Sequence, residues 1–255
     1  MQRYFIPAEQ FFEDYVLIAG DDAHHLARVM RAEEGDRVIV SDGLAREALV
    51  EIREIAKDRV RAEIVERLPM DREPNVEVWI AQSLPKGDKM ETVIQKATEI
   101  GAARFVPFVS ERTVVQLDAK KEGKRVERWQ KIAKEAAEQA HRNRVPAVDS
   151  PCDWKALLAL AQEMDAAWIC YEKESGSQLK PALRKLLSGE SGEGARKKIM
   201  LIVGPEGGFS ETEVAKAEAA GCLPVSLGKR ILRTETAAMV GLTCILYETG
   251  EMGGD

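Results

Sequence analysis

Cysteine and histidine are scarce in this chain, and their scarcity excludes much. Four cysteines occur among 255 residues, Cys152, Cys170, Cys222 and Cys244, and no two stand in a C-x-x-C spacing. Isolated thiols of this kind, with Cys170 and Cys244 inside apolar runs, read as buried free thiols in a reducing compartment. With only three histidines, His24, His25 and His141, a histidine-rich metal site is not expected and no metal is assigned. Long apolar runs are missing too: no segment approaches the ~20 residues a membrane helix needs. The opening Met1-Gln2-Arg3-Tyr4-Phe5-Ile6-Pro7 reaches Pro7 and Glu9 before any apolar h-region forms, so a cytoplasmic protein is expected. Positive charge is not in excess either. At a net −6 the chain is no general polyanion binder, and any nucleic-acid contact would need a local basic patch.

What is present is an ordinary globular composition, 45% hydrophobic and 31% charged, in two stretches of different period. The segment Leu68-Pro69-Met70-Asp71-Arg72-Glu73-Pro74-Asn75, with prolines bracketing charge, reads as a linker. Residues 1–70 before it hold short β-type runs, Arg37 to Ser41, Ala45 to Ile52 and Val60 to Val65, and one helical patch, Asp22 to Arg31. They predict a small all-β module.

From 74 to 255 strands and helices alternate, which implies a mainly parallel α/β sheet. The strands are expected at Val76 to Ala81, Phe105 to Val109, Ala166 to Tyr171, Ile199 to Val203 and Leu223 to Leu227. Asp88 with Glu91, and Ser210 with Glu213, match the capping-box pattern at two helix starts. Residues 188–194, rich in glycine and serine, read as a flexible loop.

Two glycine-anchored turns carry the chemistry. Gly204-Pro205-Glu206-Gly207-Gly208-Phe209-Ser210 closes the run Ile199 to Val203. Leu227-Gly228-Lys229-Arg230-Ile231-Leu232-Arg233-Thr234-Glu235-Thr236-Ala237 closes Val225 to Leu227. Each reads as a strand that ends in a loop and enters a helix, which is where open α/β sheets bind ligands. Two such loops predict one pocket built from both. Gly207 and Gly208 let a ligand approach the backbone closely, Glu206 sets a carboxylate at a strand end, and Thr234 reads as an N-cap. The sequences G-x-x-x-x-G-K-[ST], G-x-G-x-x-G after a strand, H-E-x-x-H and G-x-S-x-G are all absent. A nucleoside without a phosphate tail therefore fits better than a nucleotide.

The two turns, together with Lys86-Gly87, Met90-Glu91, Gln95 to Gly101, Ser110-Glu111-Arg112, Glu135 to Gln139 and Arg142, resemble the signature of the RsmE family. Arg3-Tyr4-Phe5 and His25 to Arg31 match it as well. These are 16S ribosomal RNA uridine-N3 methyltransferases of the SPOUT superfamily. The resemblance implies a PUA-like β-barrel RNA-binding domain over 1–70. It implies a SPOUT methyltransferase domain over 74–255, with a parallel sheet and a C-terminal trefoil knot around 199–240. It further implies S-adenosyl-L-methionine as cofactor, a homodimer, and 16S rRNA, within the 30S subunit, as partner in ribosome biogenesis. One departure is His141, a bulky residue where the family carries a small one before the arginine.

By that resemblance Gly204, Glu206, Gly207 and Gly208 line one side of the cofactor pocket, and Ser226, Leu227, Gly228, Ile231, Leu232 and Thr234 the other. Uridine N3 must lose a proton, and a nearby cation would favour its loss. Arg233 and Arg3 are the candidates for that role, with Glu206 third. For RNA contact the candidates are Arg3, His24, Arg28, Arg31, Lys86, Arg112 and Arg142. His24, Arg28 and Arg31 recur at helical spacing opposite an apolar face of Leu26, Val29 and Met30. A second basic run, Lys120, Lys121, Lys124, Arg125, Arg128, Lys131 and Lys134, reads equally as a solvated helix face. Three alternatives stay open at this point: a SPOUT enzyme acting on transfer RNA, a catalytically silent RNA-binding protein, and an oxidoreductase on a Rossmann body.

Overall fold

A computed structural model of the chain describes residues 1–115, 119–174, 178–188 and 196–254, so the loop expected at 188–194 lies, beyond its first residue, outside the described residues. The chain divides into two compact units, Met1–Glu73 with Ala137–Val145, and Pro74–Ala136 with Pro146–Asp255.

The first unit is a five-stranded sheet of β1 (Arg3–Phe5), β2 (Tyr15–Ala19), β3 (Arg37–Ser41), β4 (Glu47–Ile55) and β5 (Arg59–Leu68), with the short helix α1 (Gly20–His24) after β2. The order is β1-β3-β4-β5-β2; β1 runs parallel to β3 and the other pairs are antiparallel. The sheet curls around one core, fed by the alternation of Ala48, Val50 and Ile52 on β4 and of Val60 and Ala62 on β5. Among the described residues its pairing does not close from β2 back to β1. The expected barrel is thus a half-barrel.

The helical patch expected over Asp22 to Arg31 is interrupted. After α1 the chain widens into an i→i+5 turn, His25–Val29, in which Met30 N–H donates to the His25 carbonyl at 3.0 Å. Arg31 then sits at φ +54°. The wider turn breaks the 3.6-residue period, so of the apolar face only Leu26 is buried, while Val29 and Met30 are exposed.

The second unit is a six-stranded, wholly parallel sheet. In chain order it contains β6 (Val76–Ser83), α2 (Lys89–Ile100), β7 (Arg104–Phe108), α3 (Ala119–Gln139), β8 (Ala147–Val148), α4 (Trp154–Ala161), β9 (Ala166–Cys170), α5 (Leu179–Leu187), β10 (Lys197–Val203), α6 (Glu211–Ala219), β11 (Leu223–Val225) and α7 (Thr234–Glu248); the last residues of α3 count with the first unit. The strand order is β11-β9-β10-β6-β7-β8. Ile199 to Val203 of β10 are buried on both faces, as a central strand of a covered parallel sheet must be.

Helix starts divide on their caps. Ser210 and Glu213 form the expected capping box on α6. Asp88 stands at the N-cap of α2, but its side chain makes no capping bond. All four cysteines are free thiols, and Cys244 is exposed rather than buried. No helix among the described residues is long and apolar enough to cross a membrane.

Candidate functional site

Parallel order makes the site. The carboxyl ends of β11, β9 and β10, three neighbours in the sheet, open onto one cavity of about 570 Å³, inside the range usual for small-molecule sites. Its walls are the turns after β10 (Val203 to Phe209) and after β11 (Val225 to Thr234), with Cys170, Tyr171 and Glu172 after β9 and Lys89 of α2. All of Gly204, Glu206, Gly207, Gly208, Ser226, Leu227, Gly228, Ile231, Leu232 and Thr234 line it, as does Arg233. The sequence reading missed Lys89 and the Cys170 to Glu172 wall. The latter is also a strand end, but that it converges with the other two depends on β9 lying between β11 and β10 in the sheet.

The turns are held by specific contacts. Gly208 adopts φ +64°, left-handed backbone that favours glycine, and a Cβ there would fall 2.8 Å from Glu172 Oε1, the movable end of that side chain. Gly228 sits at φ +118° with open space where a Cβ would stand. Phe209 anchors the first turn by packing against Phe108 and Trp154. Arg112 Nη1 donates to the Gly207 carbonyl at 2.8 Å. Arg233, not Thr234, occupies the N-cap of α7, without a capping bond. Thr234 is buried as the first helical residue and donates its hydroxyl to the Gly204 carbonyl at 2.6 Å. The hydroxyl expected to cap a helix instead ties one turn to the other.

Glu206 is engaged. Its Oε1 accepts from Lys89 Nζ at 2.7 Å and from Lys86 N–H at 3.1 Å. Burial works to raise its carboxyl, but the Lys89 hydrogen bond, backbone N–H donors and the Lys89 charge outweigh it and hold the group below its ordinary value. An ionised, ion-paired carboxylate is a weak base, so the geometry gives Glu206 a binding rather than a proton-accepting character. Arg233 is exposed; its carbonyl accepts from Ala237 N–H at 2.8 Å, while its guanidinium makes no hydrogen bond or ion pair among the described residues, and its neighbour Ile231 is 88% exposed.

Two other candidates are buried. Arg3 is buried in the first unit, where both terminal nitrogens bind Glu47 and Nη1 also donates to the Arg142 carbonyl at 2.8 Å. Arg142 is buried too, its guanidinium on Glu73. Neither guanidinium faces solvent, and each is paired with a buried carboxylate. His141, beside them, adopts φ +56°. Its N–H donates to the Glu138 carbonyl at 3.2 Å.

His24, Arg28 and Arg31 are exposed, though not on one helical stripe, and Lys86 and Arg112 are exposed beside the first turn. Of the second basic run, Arg128 pairs with Glu91 at 2.7 Å, and the side chain of Lys120 lies outside the described residues.

The donor set fits S-adenosylmethionine. Glycine-rich backbone with Val203, Val225, Leu227 and Leu232 would offer a surface for an adenosyl group, and Glu172 and Glu206 would meet its charged amino-acid tail. Among the described residues no group of three His, Cys, Asp or Glu side chains could hold a metal ion.

Comparison with known proteins agrees with the geometry. A family model described as an RNA methyltransferase domain matches residues 72–246, and one described as an RNA methyltransferase PUA domain matches residues 18–65. The ribosomal RNA small subunit methyltransferase E of Bacillus subtilis (strain 168) is 42% identical over 262 residues, with 100% of both chains covered. A structure described as a methyltransferase from Legionella pneumophila in complex with the cofactor SAM superposes with TM-score 0.84 at 30% identity, covering 96% of each chain. The ribosomal RNA small subunit methyltransferase E of Neisseria gonorrhoeae, bound to S-adenosyl methionine, gives TM-score 0.81 at 29% identity, with 97% of each chain covered.

Proposed function

The chain belongs to the ribosomal RNA small subunit methyltransferase E family, and on that premise we propose that it methylates N3 of a specific uridine in 16S ribosomal RNA, with S-adenosylmethionine as methyl donor. The observation that carries the reading is the single cavity built by the turns after β10 and β11, in which every cofactor residue expected from the sequence stands.

The cofactor supplies an electrophilic methyl group on a sulfonium. The rest falls to this chain's own residues. Gly204, Gly207, Gly208 and Gly228 admit the ligand to the backbone. Ser226, Leu227, Ile231, Leu232 and Thr234 form the facing wall, and Glu206, held by Lys89, fixes charge at the rim. Arg233 is the group we assign to the uridine, because an unpaired guanidinium at the cavity favours the anion that develops as N3 loses its proton. Arg3 is left out of this assignment, and Glu206 is kept for binding.

The exposed His24, Arg28, Arg31, Lys86 and Arg112 are the proposed RNA contacts, working through phosphates. The finer parts of the proposal are an RNA-binding first domain over 1–70, a methyltransferase domain over 74–255 whose two turns are adjacent crossings of a trefoil knot, a homodimer, and action on the 30S subunit in the bacterial cytoplasm. Expression of this chain in bacterial cells that lack N3-methyluridine in 16S RNA tests the proposal. Restoration of the modified nucleoside, read by mass spectrometry of digested RNA, is expected; its continued absence with the protein folded and abundant would sink the reading.

A further inference from the structure

Gln82 is the penultimate residue of β6, and the parallel register sets it beside Val203 of β10, the residue that leads into the first turn. Its side chain is fully buried. Nε2 lies 2.8 Å from Thr234 Oγ1, 2.9 Å from the Ser83 carbonyl and 3.5 Å from the Gly204 carbonyl. The Thr234 hydroxyl gives its proton to the Gly204 carbonyl. These neighbours are all acceptors toward the amide, so its amino end must face them. The other end is left over: Oε1 is buried and has no hydrogen-bond partner among the described residues.

Burying an amide with an unmet acceptor costs stability, and an apolar side chain of equal length would avoid that cost. The amide is therefore kept for what its donors hold. They hold Gly204 of the first turn and Thr234 at the end of the second, the opposing walls of the cavity. Lys89, seven residues on, repeats the arrangement at the rim. Its ammonium stands 2.7 Å from Glu206 Oε1 of the first turn and 4.0 Å from Glu235 Oε2 at the start of α7.

We infer that Gln82 is a positioning residue for cofactor binding, a buried brace that sets the separation of the two turns, with Lys89 as its outer clasp. Gln82 lines no part of the cavity, so it acts through Gly204 and Thr234. The inference rests on the proposed function.

Gln82→Met keeps the length and removes both donors. Its affinity for S-adenosylmethionine, measured by calorimetric titration of the full chain, is expected to fall at least tenfold. Its affinity for small-subunit RNA should be unchanged and its thermal midpoint within a few degrees of the wild type. Under turnover, KM for the cofactor rises while KM for RNA and kcat at saturating cofactor stay near wild type. Lys89→Ala, on a half-exposed side chain that cannot threaten the core, should weaken cofactor binding severalfold and serves if Gln82→Met does not fold. Wild-type cofactor affinity in the variants overturns the inference. Failure of the unmutated protein to bind S-adenosylmethionine overturns the functional reading, and the inference with it.

Discussion

At the scale of single residues, charge state and burial separate structural groups from functional ones. Arg3 and Arg233 look alike in sequence as arginines within motifs, yet Arg3 is 2% exposed on Glu47 while Arg233 is exposed and unpaired at the cavity. Arg3→Ala would strand Glu47 as a buried charge; a loss of about 3–5 kcal/mol is expected in chemical denaturation. Arg233→Ala should instead leave stability and cofactor affinity intact and lower kcat by about 100-fold, the scale on which removal of one preorganised electrostatic group acts; near-normal turnover at saturating RNA would refute the assignment. Asp42 contributes to acid sensitivity. Burial works to raise its carboxyl, but donors from Arg46, Ala45 and Leu44 prevail and bring it from 3.8 to about 2. Its side chain is only 3% exposed, so the shift is worth about 2 kcal/mol. A depressed carboxyl stabilises the fold above its unfolded value and loses that contribution as pH falls from about 4 through 2. Asp42→Asn should therefore be less stable than the parent at pH 7, with the gap closing toward pH 2 in denaturant titrations. No sequence pattern distinguishes Arg3 from Arg233, because the burial of Arg3 depends on partners, Glu47 and the Arg142 carbonyl, that lie far away along the chain.

At the scale of elements, the sequence was most readable where periodicity is strict. Arg37 to Ser41 is observed residue for residue as β3, and Ser210 with Glu213 closes a real capping box. It was least readable where local geometry departs from the regular period, as at the wide turn His25–Val29, or where an element is too short to show one, as with β1 and β8. The Cys170 to Glu172 wall escaped for another reason: it joins the site only because β9 lies between β11 and β10, a fact of sheet order that no single segment encodes. Close packing of α7 on β10 is a further hidden requirement. A Cβ on Gly241 would run into Leu201 Cδ2, well inside contact distance, and Leu201 is wholly buried. Alanine would gain up to about 1 kcal/mol in helix propensity, but overpacking costs about 1–3 kcal/mol, so the steric term wins. Gly241→Ala should lower the thermal midpoint and, by displacing Thr234 at the head of α7, raise KM for S-adenosylmethionine; a more stable variant with an unchanged KM would contradict that packing argument.

At the scale of the whole molecule, the first unit is a curled sheet and the second a wholly parallel one. The class of each was legible from the change of period at the proline-bracketed linker. The assignment of Ala137–Val145 to the first unit was not, since it rests on Arg142 meeting Glu73 and on Asn143 meeting Glu47 across many intervening residues. The central claim is that the turns after β10 and β11 form one S-adenosylmethionine pocket serving uridine methylation. Its most direct test is incubation of the purified chain with methyl-labelled S-adenosylmethionine and 30S subunits lacking the modification, followed by nucleoside mapping. Label is expected in N3-methyluridine at one position of 16S RNA; its absence from that nucleoside would rule out the pocket's assigned role.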